Sequence, residues 1–158
     1  MKTITRGHIK CLYPKDWALQ KRRDRAPETD YFIGWPAERA QEQPAPGVKI
    51  SSWPSCAMMP PMDAEQYQQQ NIAMFKIRYA DYEIISLTKG EVGPFKYPGH
   101  LLRVKYARDE GTFMCEELTF QPVSDWWGHL KFFATPPEAF NRYWPLWDRL
   151  IKSVEYMP

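Results

Sequence analysis

The sequence predicts an α+β fold, an antiparallel β-sheet meander flanked by helices, and three observations predict it. Phe140, Tyr143, Trp144, Trp147, Leu150, Ile151 and Val154 recur at spacings of three and four, the repeat of one helical face, so a C-terminal helix must dock on something apolar. From about Ile84 to Ala134 the chain breaks into alternating segments joined by short turns, and such connections join only antiparallel strands. Before that stretch, Asp63 followed by Gln66 marks the start of a helix that separates a first group of strands from the meander. Strands, a long helix, a meander and a docking helix make an α+β order. At 158 residues the chain, 1–158, fits a single globular domain able to bury a core. Its 15% aromatic content argues against a disordered chain.

The elements follow in order. Ile9, Cys11 and Tyr13 lie on one side of a strand over 8–13 that Pro14 stops, and Asp16 and Trp17 turn the chain. Lys21-Arg22-Arg23-Asp24-Arg25 reads as a solvated loop or strand end, because nothing Gly-rich or aromatic interleaves with it to build a phosphate site. Tyr31–Trp35 and Val48–Trp53 are two further strands, separated by a polar, Pro-rich surface excursion over 36–47. Met58, Met59 and Met62 beside two prolines are loop and core filler, or an adaptable contact surface. The helix from Asp63 to about Tyr79 is mostly polar, with Tyr67, Met74, Phe75 and the stem of Arg78 as its narrow apolar stripe.

Strands are expected over 84–89, 93–97, 101–107, 113–121 and 126–134, with Arg108–Gly111 as a hairpin turn whose glycine supplies a positive φ. Leu102, Val104 and Tyr106 share one face, joined by Met114, Leu118 and Phe120. The opposite face carries Arg103, Lys105, Phe113, Cys115, Glu117 and Thr119. Thr135 and Glu138 suggest a capping box for the last helix. Pro145 would remove a hydrogen bond and clash with the carbonyl of Asn141, so the helix is expected to restart there. Trp144 and Trp147 should both be buried.

Chemistry is sparse. A net charge of +2 with both signs mixed gives no basic footprint for nucleic acid. Cys11, Cys56 and Cys115 form no C-x-x-C pair and read as reduced thiols. The N-terminus lacks the apolar run of a signal peptide and no stretch approaches a membrane span, so a cytoplasmic protein without membrane insertion is expected. His8, His100 and His129 have no metal spacing, and neither a metal nor a cofactor is expected. Cys115 and His129 lie on adjacent strands, but cysteine is more often a buried hydrophobe than a nucleophile, and no catalytic residue is assigned. Glu116 and Glu117 point to opposite faces and cannot share a proton. Glu116 should sit with Met114 and Leu118, near an edge or paired with Arg or Lys. Of the neighbours Trp126 and Trp127, one enters the core while the other stands on the far face. There it would be a protein-binding anchor beside Phe113, unless a helix or loop covers that face. The candidate partner-binding residues are Trp127, Phe113, Arg103, Lys105, Glu117 and His129.

The order of parts resembles DcrB-related proteins. The resemblance rests on Tyr13, Pro14 and Trp17 at the end of the first strand and on the Gln-rich middle helix. It continues through Leu102-Arg-Val-Lys-Tyr106, Glu117-Leu-Thr-Phe120 and His129-Leu-Lys-Phe-Phe133 to a closing helix that ends in Ser153-Val154. The resemblance implies a PsbP-like fold. It also implies kinship with effector-associated chaperones of the type VI secretion system (EagR), which shield the transmembrane helices of effectors on an apolar sheet face. The first functional reading is therefore a non-enzymatic cytoplasmic protein-binding domain, an adaptor or chaperone whose partner is an effector and which allows a homodimer. The alternative is an immunity protein that binds and inhibits a cognate toxin.

Overall fold

The computed structural model describes residues 1–23, 30–36, 47–54 and 62–158. Strands β1 (Lys2–Arg6) and β2 (Ile9–Tyr13) form an antiparallel hairpin, and the short β10 (Glu155–Tyr156) pairs with β2 to complete a three-stranded sheet. The large sheet holds seven strands. They are β3 (Trp17–Arg23), β4 (Asp30–Pro36), β5 (Gly47–Pro54), β6 (Glu83–Val92), β7 (Tyr97–Arg108), β8 (Gly111–Val123) and β9 (Trp126–Ala134), in the order β3-β4-β5-β9-β8-β7-β6. Helix α1 (Ala64–Arg78) lies on one face, and helix α2 (Pro137–Lys152) packs on the other together with β2. The expected α+β architecture is present. The excursion after Pro36, Cys56, and Met58 and Met59 fall outside the described residues, as do Asp24 and Arg25, whereas Lys21–Arg23 close β3.

The α2 face is mostly apolar. Phe120, Leu130 and Phe132 of the sheet meet Phe140, Tyr143, Trp147 and Leu150 of the helix, with Ile9, Cys11 and Tyr13 of β2 completing the cluster. Phe132 stacks on Trp147 at 5.8 Å between ring centroids. Gly128 makes room for this packing, since a Cβ there would stand 2.4 Å from the Phe120 ring. The C-terminal stripe docks as its spacing predicts, with Trp147 fully buried and Trp144 partly so.

Five expectations about this frame need correction. Helix α2 is continuous through Pro145, because the aromatic stripe is seated on both sides of it and packing outweighs one lost hydrogen bond. The Thr135 hydroxyl does not cap the helix but donates to the Thr112 carbonyl at 2.7 Å, and Pro136 is the N-cap. Residues 93–96 turn rather than extend: Lys96 N–H donates to Gly93 O, and Lys96 adopts a positive φ of 56°. In α1 the Asp63–Gln66 capping box forms as expected, but the inward face is Ala64, Gln68, Asn71 and Ile72, while Met74 is exposed.

The phase of β7 against β8 differs from the expected one as well. The hairpin closes with Arg108 opposite Gly111, whose φ is 134°, so Tyr106 faces Phe113, Val104 faces Cys115 and Leu102 faces Glu117. Residues directly opposite share a face. Leu102, Val104 and Tyr106 therefore lie under α1 with Phe113 and Cys115. Leu101, Arg103 and Lys105 lie on the α2 face with Leu118, Glu116 and Met114.

Candidate functional site

The six residues singled out as a binding surface divide between the two faces. Trp127 and Phe113 are on the α1 face and buried. Trp127 is 0% exposed because Tyr67 of α1 covers it at 4.1 Å between ring centroids. Of the two alternatives for this tryptophan, the helix-covered one is observed. Trp126, on the other face, is half-buried against the His8 ring. Arg103 and Lys105 sit on the α2 face and are partly open to solvent.

Glu117 and His129 come together beneath α1. The Glu117 carboxylate is buried; it accepts from Lys131 Nζ at 3.2 Å, and His129 Nε2 lies 3.1 Å from its other oxygen. The Cys115 thiol donates weakly to the same carboxylate at 3.9 Å. Burial alone would push the Glu117 carboxyl up, but the ammonium of Lys131 and the hydrogen bonds and charge from His129 and Lys131 hold it well below the usual carboxylate range. Burial works against the Lys131 ammonium, but its interactions with Cys115, Glu117 and Tyr106, the buried Glu117 carboxylate being the standing negative charge among them, outweigh that and raise its pKa well above the usual lysine value. Lys131 also lies over the rings of Phe75 and Tyr106, at 5.1 and 5.7 Å. Burial pushes the Cys115 thiol far above its ordinary range, so it is held as a thiol rather than a nucleophilic thiolate. Cys115 and His129 thus meet through Glu117 and not as a pair.

On the opposite face Glu116 does what strand parity predicts. It is buried, and Arg103 grips one oxygen through Nε at 2.7 Å and Nη2 at 2.6 Å. Its other oxygen accepts the indole N–H of Trp147 at 2.9 Å and that of Trp144 at 3.4 Å. The Arg103 guanidinium is in turn stacked over Phe140 and Trp144. This is a docking device for α2, joining β7 and β8 to the helix through both oxygens of one carboxylate.

What the residue reading missed is the edge. Strand β6 ends the large sheet, and nine of its ten residues are exposed. Ile84, Ile85 and Leu87 are 38, 45 and 43% open, and a bulge at Ile85 interrupts the pairing to β7. A run of aliphatics reads as interior strand, so the free edge has no signature of its own.

No family model and no curated protein matches the chain. Solved structures do. Cyanobacterial PsbP (CyanoP) from Synechocystis sp. PCC 6803 aligns over 98% of this chain and 90% of its own, with a TM-score of 0.65 at 10% identity. The chain has a PsbP-like fold. LpqN, described as involved in cell envelope biogenesis of Mycobacterium tuberculosis, aligns over 95% of this chain and 83% of its own, with a TM-score of 0.67 at 15% identity. PA94 of Pseudomonas aeruginosa, a protein of unknown function, covers 96% of this chain and 99% of its own with a TM-score of 0.54 at 10% identity. These identities carry the fold and no site residue. Among the described residues no group of His, Cys, Asp and Glu could hold a metal ion, and no helix is long and apolar enough to cross a membrane.

Proposed function

We propose that this chain is a non-enzymatic, cytoplasmic protein-binding domain whose partner adds an extended strand to the free edge of β6. The observation that carries the reading is the edge itself: ten residues long, solvent-facing on both sides and bearing Ile84, Ile85 and Leu87. Unpaired N–H and C=O groups along such a strand give affinity, and exposed aliphatics give the partner side chains to pack on. The finer reading is an effector-associated adaptor or chaperone of a type VI secretion system, supported by the resemblance to DcrB-related proteins together with the PsbP-like fold.

The test is affinity capture of the tagged chain from its native host. Recovery of a membrane-spanning or toxin-bearing protein by the wild type, lost in Ile85→Lys/Leu87→Lys with an unchanged melting temperature, is expected. Capture that persists in the double variant would remove β6 from the reading. Rescue of cells from a neighbouring toxin, through a complex with that toxin's folded catalytic domain, would replace the adaptor by an immunity protein.

A further inference from the structure

We infer that α1 is a lid that lifts from the sheet as a unit well short of global unfolding. Of the four residues α1 buries, Gln68 and Asn71 are polar. Beside the apolar cluster of Leu102, Val104, Tyr106, Phe113 and Cys115, the sheet sets Glu117, Thr119, His129 and Lys131 beneath the helix. Gln68 Nε2, Thr119 Oγ1, His100 Nδ1 and Tyr82 Oη are buried without a hydrogen-bond partner among the described residues, and all four lie in this layer. Lifting α1 returns water to those atoms, so part of what opening loses in apolar contact is recovered as hydration.

Among the described residues the hydrogen bonds and ion pairs that hold the lid are few, and ring contacts add to them, with Lys131 over Phe75 at 5.1 Å and Tyr67 edge-on to His129 at 5.5 Å. Ala64 N–H donates to Gln121 Oε1 at 3.2 Å, and Glu65 pairs with Lys89 at 3.2 Å on the surface, where such pairs contribute little. Ile72 enters the apolar cluster of Leu102, Val104, Tyr106, Phe113 and Cys115, and Tyr67 lies on Trp127. The other helix is fastened by three aromatic rings in the core and by two indoles on Glu116. Lifting α1 uncovers Trp127, Phe113 and Cys115 together, a surface the closed chain does not offer. This goes beyond β6-edge binding and needs no partner to be tested.

Cys115 reports the event, since it is fully buried beneath α1. In Cys11→Ala/Cys56→Ser it is the remaining thiol, and its modification by iodoacetamide under native conditions is compared with global unfolding from urea curves on the same variant. Amide exchange of residues 64–78 and 137–152 is followed on the wild type. The expected result is Cys115 labelling at least about tenfold faster than global unfolding permits, and α1 amides exchanging at least about tenfold faster than α2 amides, as for a low-lying local opening. Labelling at the global rate overturns the lid, as does α1 protection equal to that of α2. Fast α1 exchange without fast labelling overturns it too, because the helix would then be fraying in place.

Discussion

The two faces of the large sheet solve one problem in different ways. Each carries a helix over a buried glutamate from β8, and the two glutamates are consecutive in sequence. On the α2 face Glu116 is an accent in an apolar interface, its lone pairs met by Arg103 and two indoles. On the α1 face Glu117 is the centre of a charged layer, met by Lys131 and His129, with polar atoms left over. The difference teaches that a buried carboxylate says little about how firmly its helix is held. What decides is the apolar area around it and whether its neighbours are also satisfied.

The comparison breaks most visibly at the tryptophans. Trp147→Ala removes a buried indole and one of the donors on Glu116, and truncation of a core aromatic costs ~3–5 kcal/mol, a large part of a domain's ~5–15. Urea unfolding should show a variant close to its folding limit. Trp127→Ala, buried under α1, should also destabilise, toward the lower end of that range because a loosely held helix can settle into the space. Equal losses at the two positions would mean that the faces are equally rigid.

Glu117→Gln sharpens the contrast through pH. The folded carboxyl titrates below its unfolded value, so its stabilising contribution is complete above the unfolded pKa of ~4.3 and is lost as the pH falls below it. Lys131 is shifted upward, so its contribution is complete below ~10.4 and fades as the pH rises beyond that. The variant strands Lys131 without its charge partner and should lose ~3 kcal/mol or more near neutral pH. The gap between wild type and variant should narrow steadily on acidification. A gap independent of pH would show that packing, and not charge, holds this layer.

The smallest effect is expected on the outer side of α1. Ile77 is 89% exposed, and Ile77→Asn should change stability by no more than ~0.5 kcal/mol in a melting experiment. A larger loss would mean that this side of the helix is covered in solution.

Much of this was legible in residues whose neighbours are set locally. The Asp63–Gln66 cap depends on three residues of separation, and the Glu116 pairing depends on strand parity, so both could be read directly. The phase of β7 against β8 was also available in the turn, since Gly111 opposite Arg108 places Tyr106 opposite Phe113. The side of Phe113 therefore lay within reach of the sequence, through that turn. The cover over Trp127 is different in kind. It depends on where a polar helix docks some sixty residues upstream, and no periodicity in α1 points its face at that indole. Pro145 belongs with it, because the rule that a proline ends a helix yields only to the aromatic contacts on either side. The edge exposure of β6 follows from its having no strand on its outer side among the described residues, which a strand pattern cannot express.

Consecutive glutamates on β8 also bear on how this chain can change. Shifting the strand by one residue, so that Glu117 takes the place of Glu116 beneath the indoles, would put Leu118 beside Lys131 and Glu116 in the slot of Cys115 under α1, so both faces would be mismatched at once. A slip at the turn of Asp109 and Glu110 would therefore disturb both helix interfaces, whereas re-phasing β6, where all residues but Val92 are exposed, would leave the two helix interfaces in place. New length, and new specificity with it, can enter this scaffold from the β6 side.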